Sequence, residues 1–394
     1  MVDVTVDRRS VAGVYVHLPF CDRICPYCDF AVVEFKQRRV RRYLAALALD
    51  IERASLPAQK IRSFFLGGGT PSAVEPSDVA ELLAALFKKF EVAPDSIECT
   101  LEANPSRADR GRLRAYREAG VNRLSVGVQS FDERELHRLG RDHGARDARK
   151  YLAAARRAGY DNLNLDLIAG APGQTLESFH RTLREARACE PDHVSVYALT
   201  IEPQTPYAAW HARDPSAFPD DDAVAELLEL AHVELSRAGF RHYEISNFAL
   251  PARECVHNLG YWRQADCVAF GMSSSGYDDG TRYRNHREFE AYCAALERGA
   301  SPRAVSERLG AAARIGEAAM LALRMTDGII DADFRRRFGI DAAAAFRAAR
   351  QKFAAAGLLD VDKIGARLTD RGRLMANTVC AEFLTPELEI AATP

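Results

Sequence analysis

Between Val14 and about Thr200 short apolar runs alternate with amphipathic stretches, and this alternation limits the possible folds more than any other feature of the chain. The runs are VYVHL, FFLGG, IECTLEA, RLSVGVQ, NLNLDLIAG and VSVYALT. Helix-like segments near 39–55, 77–90, 107–119, 132–158 and 175–188 separate them. Strands joined through helices pair in parallel, because each crossover helix carries the chain back to the starting edge. Right-handed crossovers curl such a sheet toward a barrel. Six units fall two short of the eight that close one. The expectation is therefore an α/β fold, an incomplete parallel (β/α)6 barrel whose open side can admit a large ligand.

The pattern breaks after Thr200. Residues 203–219 are rich in Pro and Ala, a Leu-rich charged helix is expected at 221–238, and 240–285 reads as irregular and aromatic. From about Ser306 three helical segments follow, near 307–324, 331–338 and 341–356, and then GLLDVDKIGARLTDRGRLMAN. Helices followed by a hairpin-like stretch suggest a C-terminal winged-helix-like α+β domain. We expect three parts, 1–240, 241–300 and 301–394. Acidic residues interrupt the arginines of the last part, and the net charge of −2 marks no polyanion partner, so a packing role is expected there and not nucleic-acid binding. MVDVTVDRRSVAGVYVHLPFC contains no apolar run long enough for a signal or a span, so a cytoplasmic location is expected.

Nine cysteines scattered through a chain of this size do not form the dense disulfide frame of a small secreted domain. Three of them are clustered. HLPFCDRICPYCDF places Cys21, Cys25 and Cys28 in CxxxCxxC spacing directly after the first strand, at the end of the barrel where ligand sites of parallel α/β folds collect. A structural zinc wants four protein ligands, and no fourth Cys or His follows at suitable spacing, although His17 stands nearby. Three thiolates on a 4Fe-4S cubane leave one iron open to an outside ligand. Three inert, buried thiols are the structural alternative. The second strand ends in FFLGGGTPS, where Gly67, Gly68, Gly69 and Thr70 allow close backbone approach and offer N–H donors.

At these residues the chain resembles the radical S-adenosylmethionine superfamily, and within it the HemW type of haem chaperone. The resemblance implies a 4Fe-4S cluster on Cys21, Cys25 and Cys28. S-adenosylmethionine (SAM) would chelate its open iron, and reductive cleavage would yield a 5′-deoxyadenosyl radical. It further implies SAM contacts from Tyr15, Gly68, Gly69, Thr70, Glu102 in LEANPS, Gln129 in GVQSFD, Arg141 in LGRDH and Asp166 in LNLDLIAG, each expected at or just after a strand end. Carboxylates suit an amino group or ribose hydroxyls, and a guanidinium can hold a carboxylate through two parallel bonds. Asn104, Ser130 and Asp132 are equally well placed, or else cap the helices that follow.

Two local features separate the HemW type from the related oxygen-independent coproporphyrinogen dehydrogenases. Those enzymes carry CxxxCxxCxC, whereas Phe30 stands here two residues after Cys28. His257-Asn258-Leu259-Gly260-Tyr261-Trp262 matches the HNxxYW motif of the HemW type. By that resemblance His257 is a candidate haem ligand with Tyr261 and Trp262 packing on the porphyrin, the structural alternative being a hydrogen-bonded core histidine. Cys255 and Cys267 flank the motif and are expected to be inert. VAFGMSSSGYDDG departs from the family, which commonly has a histidine in that stretch. The resemblance thus implies haem, haem-recipient proteins and an electron donor as partners, with oxidative decarboxylation of coproporphyrinogen III as the less favoured alternative. A homodimer is left open.

Overall fold

The computed structural model describes residues 12–55, 60–93, 97–107 and 110–387. Six parallel strands follow one another in chain order: β1 (Ala12–Leu18), β2 (Ile61–Gly68), β3 (Glu98–Ala103), β4 (Arg123–Gln129), β5 (Leu163–Ala169) and β6 (His193–Ala198). Both edges are then extended. β7 (Arg241–His242) and β8 (Asn247–Ala249) add antiparallel strands beyond β6. On the other side β9 (Cys267–Phe270) lies parallel to β1, followed by β10 (Ser275–Asp278), β11 (Thr281–Asn285) and β12 (Arg303–Arg308) in antiparallel order. Among the described residues one mixed sheet of twelve strands results, and it does not close into a barrel.

The stretch 240–285, expected to be irregular, therefore supplies strands on both sides of the parallel core, with β12 outermost on one side. Its strands are two to five residues long, too short to declare a period of two, and β9 pairs with a strand some 250 residues earlier in the chain.

The crossover helices are α1 (Gln37–Arg53), α2 (Pro76–Lys89), α3 (Arg110–Glu118), α4 (Glu133–Arg138), α5 (Ala145–Arg157) and α6 (Leu176–Ala188), and α7 (Asp221–Arg237) follows β6. In α1 Val40, Tyr43, Leu47 and Ile51 recur at three and four residues and are buried. Each such aliphatic side chain contributes about 1.5–3 kcal/mol on burial. The expected helix 132–158 is two helices. Asp132 caps α4 by accepting from the N–H groups of Arg134 and Glu135, and Gly140 turns the chain out of α4 at φ +68°. Residues 108–109 of the expected third helix lie outside the described residues, as do residues 1–11, which carried part of the expectation about location.

Beyond β12 a second apolar cluster includes Ile315, Phe334, Phe346 and Phe383. The helix expected at 307–324 begins at Ala311, because the preceding residues belong to β12. A three-stranded antiparallel sheet of Ile329–Ile330, Gly365–Leu368 and Leu359–Val361 accompanies these helices, as in a winged-helix-like unit. No helix among the described residues is long and apolar enough to cross a membrane.

Candidate functional site

Side chains alternate across a strand, so residues two apart share a face. On β4 this aligns Arg123, Ser125, Gly127 and Gln129. On β5 it aligns Asn164, Asp166 and Ile168, and on β6 Ser195 and Tyr197. All of them line one cavity of about 590 Å³, together with Tyr15 and Phe65 on the first two strands, Glu102 on β3, Arg141 after α4 and the three clustered cysteines. Every residue expected to hold cluster or SAM, and the expected haem ligand His257, thus borders the same space. Their placement is less uniform than expected. Tyr15 and Asp166 stand inside strands, and Arg141 sits in the loop between α4 and α5. The stretch VAFGMSSSGYDDG contributes nothing to the cavity wall.

The cysteine loop is held from several sides. Phe20–Cys21 pairs in parallel with Val33–Glu34, and the Cys28 N–H donates to the Cys25 carbonyl at 3.1 Å. His17, considered beside the thiols, instead bonds the Ala31 carbonyl through Nε2 at 2.8 Å, and its Nδ1 lies 3.1 Å from the Tyr15 hydroxyl. Arg287 donates to the Asp29 carbonyl at 2.7 Å. The loop is thereby fixed by groups outside itself, as a preorganised ligand set requires.

The glycine run has a different role from the one expected of it. The Gly68 N–H donates to Glu102 at 2.9 Å, the Gly69 N–H to the Leu18 carbonyl at 2.9 Å and the Thr70 N–H to the Phe20 carbonyl at 2.8 Å. These donors are spent on the fold and are not offered to a ligand. What the glycines provide is space. A Cβ on Gly69 would stand 2.6 Å from the Pro19 carbonyl carbon, and one on Gly68, at φ +114°, would stand 2.5 Å from the His17 ring. The end of β2 is in this way stitched against the strand that delivers Cys21, and the Thr70 hydroxyl faces the Cys21 sulfur at 3.6 Å.

Among the described residues no set of three His, Cys, Asp or Glu side chains converges on a single ion. The three thiols are free, and burial pushes the Cys21 thiol up to about 11 and the Cys28 thiol upward. Sulfurs spread around one loop fit a cubane, in which each thiolate binds a different iron, better than one tetrahedral zinc. Arg141 reaches the Cys25 sulfur through Nη1 at 3.4 Å and the Gly127 carbonyl through Nη2 at 2.9 Å, while its buried Nε has no partner in the structure. Gln129 holds φ +69°, a left-handed conformation few non-glycine residues adopt, at a shift in register against β5.

The same cavity is lined by two partly buried carboxyl groups and a buried guanidinium. Burial, and then the nearby Asp166 carboxylate, push the Glu102 carboxyl up to about 7. Burial raises Asp166 as well, against the hydrogen bonds it accepts from Asn164 at 2.8 Å and Ser125 at 3.2 Å. Arg123, which the sequence reading passed over, is 2 % exposed, and its Nε lacks a partner in the structure. Its signal was a charged residue opening an otherwise apolar strand. Asn164 and Ser125 carried a weaker one, two residues from Asp166 and from Gly127.

His257 differs from the expectation. It is 3 % exposed and stacks on Phe65 at 5.0 Å; its Nδ1 meets the Ser63 hydroxyl at 2.9 Å and its Nε2 the Tyr261 hydroxyl at 3.0 Å. Burial lowers it to about 3, so the ring is neutral. Both nitrogens are met by hydroxyls in the ligand-free chain, one of which must donate to the ring's lone pair. Trp262 does not border the cavity and carries Arg324 over its ring at 5.6 Å. Cys255 is buried, with its sulfur 3.4 Å from Glu98.

The Radical SAM superfamily profile matches residues 15–186, and the HemN C-terminal domain profile matches residues 309–375. A protein of Bacillus subtilis named heme chaperone HemW is 32% identical over 374 residues, covering 94% of this chain and 99% of that protein. This chain belongs to the HemW heme chaperone family of the radical SAM superfamily. The Escherichia coli heme chaperone HemW is 39% identical over 288 residues, 70% of this chain and 75% of that protein. The crystal structure of the coproporphyrinogen III oxidase HemN of Escherichia coli, a radical SAM enzyme, superimposes with a TM-score of 0.83 at 25% identity, over 96% of this chain and 91% of that one. This chain and HemN thus share a fold.

Proposed function

We propose that this HemW-family chain binds a 4Fe-4S cluster through Cys21, Cys25 and Cys28, binds SAM beside it, and carries haem for delivery to recipient proteins. The observation that carries the proposal is the convergence of the cysteine loop with Glu102, Gln129, Arg141 and Asp166 on one cavity. The names of the HemW relatives support haem as cargo.

A bound, reduced 4Fe-4S cluster supplies single electrons. The chain's own residues bind and orient. Arg141, with Nε unpartnered and Nη1 on Cys25, is a cation set beside the thiolates and can hold a carboxylate there. Glu102 and Asp166 are acceptors kept partly desolvated, which suits an ammonium or paired hydroxyls. Phe65, Tyr15 and His257 form the apolar, neutral side of the space. An outside electron donor and a cytoplasmic setting belong to the same proposal.

The related reading, oxidative decarboxylation of coproporphyrinogen III, is disfavoured at Phe30. That side chain is 67 % exposed at the cavity rim, where the enzymes of that type have a fourth cysteine. Parallel anaerobic assays on the reconstituted protein test the proposal. Stoichiometric haem uptake and transfer to an apo-haemoprotein, without protoporphyrinogen formation, is expected. Multiple turnovers of coproporphyrinogen would overturn it.

A further inference from the structure

The C-terminal segment meets the sheet at a second cavity, of about 510 Å³, walled by α7, by β7 and β8 with their connection, and by residues around 370–378. Two histidines stand in it. His242 stacks on Phe248 at 4.1 Å, and its Nε2 lies 3.2 Å from the Ile245 carbonyl oxygen. A carbonyl only accepts, so His242 Nε2 carries the hydrogen and its Nδ1 carries a lone pair. His232 Nδ1, 3.1 Å away, must then donate to that lone pair. This leaves His232 with a lone pair at Nε2, for which no hydrogen-bond partner stands among the described residues. A carbonyl-imidazole-imidazole chain of this kind fixes tautomer and ring orientation, which is how metal-ligating histidines are aimed.

The rest of the wall is a mixed set. Leu228, Val233, Leu374 and Met375 give apolar surface, and Arg324 and Arg373 bring two guanidinium groups. Arg324 donates to the Asn377 side chain at 2.8 Å, and Arg373 pairs with the exposed Asp370 carboxylate. Each guanidinium has five N–H donors, so capacity for a further carboxylate remains. Glu229 and Asp370 are the acidic groups at this cavity.

We propose that this cavity holds the cargo: a planar metalloporphyrin dicarboxylate, with His232 Nε2 as iron ligand and Arg324 and Arg373 facing the carboxylates. The proposal rests on the reading of the chain as a haem carrier, and it places the iron at His232 and not at His257. It also gives the C-terminal segment a task, since residues 370–378 build one wall.

The test is absorbance titration of the full chain with iron protoporphyrin IX and, separately, with metal-free protoporphyrin IX. His232→Ala should weaken the iron porphyrin at least about ten-fold and move its Soret band, while metal-free binding changes less than about two-fold. Arg373→Gln should weaken both ligands. If His232→Ala fails to fold, His232→Gln replaces it, with the same expectation. Wild-type protein that takes up haem at 1:1 while His232→Ala gives an identical spectrum and affinity overturns the cavity assignment alone. Wild-type protein without 1:1 uptake overturns the carrier reading, and this proposal with it.

Discussion

Replacing Glu102 by Gln should stabilise the ligand-free protein at neutral pH, although it removes a group from the proposed SAM site. The carboxyl is lifted from its ordinary 4.5 to about 7 by burial and by Asp166. Below about pH 4.5 both folded and unfolded chains hold the proton and the effect is absent. Between the two values the unfolded chain has released it while the folded chain keeps it. The folded state binds more protons, so the free energy of unfolding falls as pH rises. Above pH 7 both states are ionised and the penalty is constant. A shift of about 2.5 pH units at 1.36 kcal/mol each amounts to about 3 kcal/mol. Gln is nearly isosteric and can still accept from the Gly68 N–H, so the bond at 2.9 Å survives the change. Urea unfolding of the cluster-free protein at pH 5, 6, 7 and 8 is the assay. The variant's advantage should be small at pH 5 and approach about 3 kcal/mol by pH 8. A variant less stable than wild type at pH 8, or an advantage independent of pH, would show that the carboxylate is not desolvated as described. The same variant should bind SAM more weakly, because stability lost to a buried charge is recovered when a cation meets it.

Three further outcomes follow from the geometry. Cys25→Ser should lose the cluster absorption, whereas Cys255→Ser and Cys380→Ser, at buried thiols away from the loop, should keep it; iron and sulfide analysis after anaerobic reconstitution decides between them. Gly69→Ala should cost about 1–3 kcal/mol in unfolding free energy and reduce cluster loading, because its Cβ meets Pro19 backbone that cannot yield cheaply. Asp166→Ala should weaken SAM binding by about 1–3 kcal/mol by calorimetry with the cluster intact, and unchanged affinity would remove Asp166 from the ligand set.

The sequence disclosed what is local and periodic. Helices α1, α2 and α6 fall within about two residues of expectation, because amphipathic spacing is written in each segment. The cysteine loop was legible from its spacing, whereas the carboxylates were assigned through the family resemblance and one of them, Asp166, stands inside a strand. What stayed hidden depends on partners far along the chain. β9 becomes a strand by pairing with β1 at Gly13–Val16. The glycine N–H groups look free until Leu18, Phe20 and Glu102 are placed beside them. The neighbours of His257 that come from far along the chain, Ser63 and Phe65, are visible only in the fold. The division of 132–158 into α4 and α5 hinges on Gly140, and only that break brings Arg141 to Cys25.

The most direct measurement of the central claim is the low-temperature electron paramagnetic resonance spectrum of the anaerobically reconstituted, reduced protein with and without SAM. A 4Fe-4S signal whose g values shift on adding SAM is expected in wild type. In Arg141→Ala that shift should be smaller at equal SAM, with the cluster signal retained, since Arg141 lies against Cys25 and faces the same cavity. A cluster signal in wild type that saturating SAM leaves unchanged would contradict the assignment of this cavity as a joint cluster and SAM site.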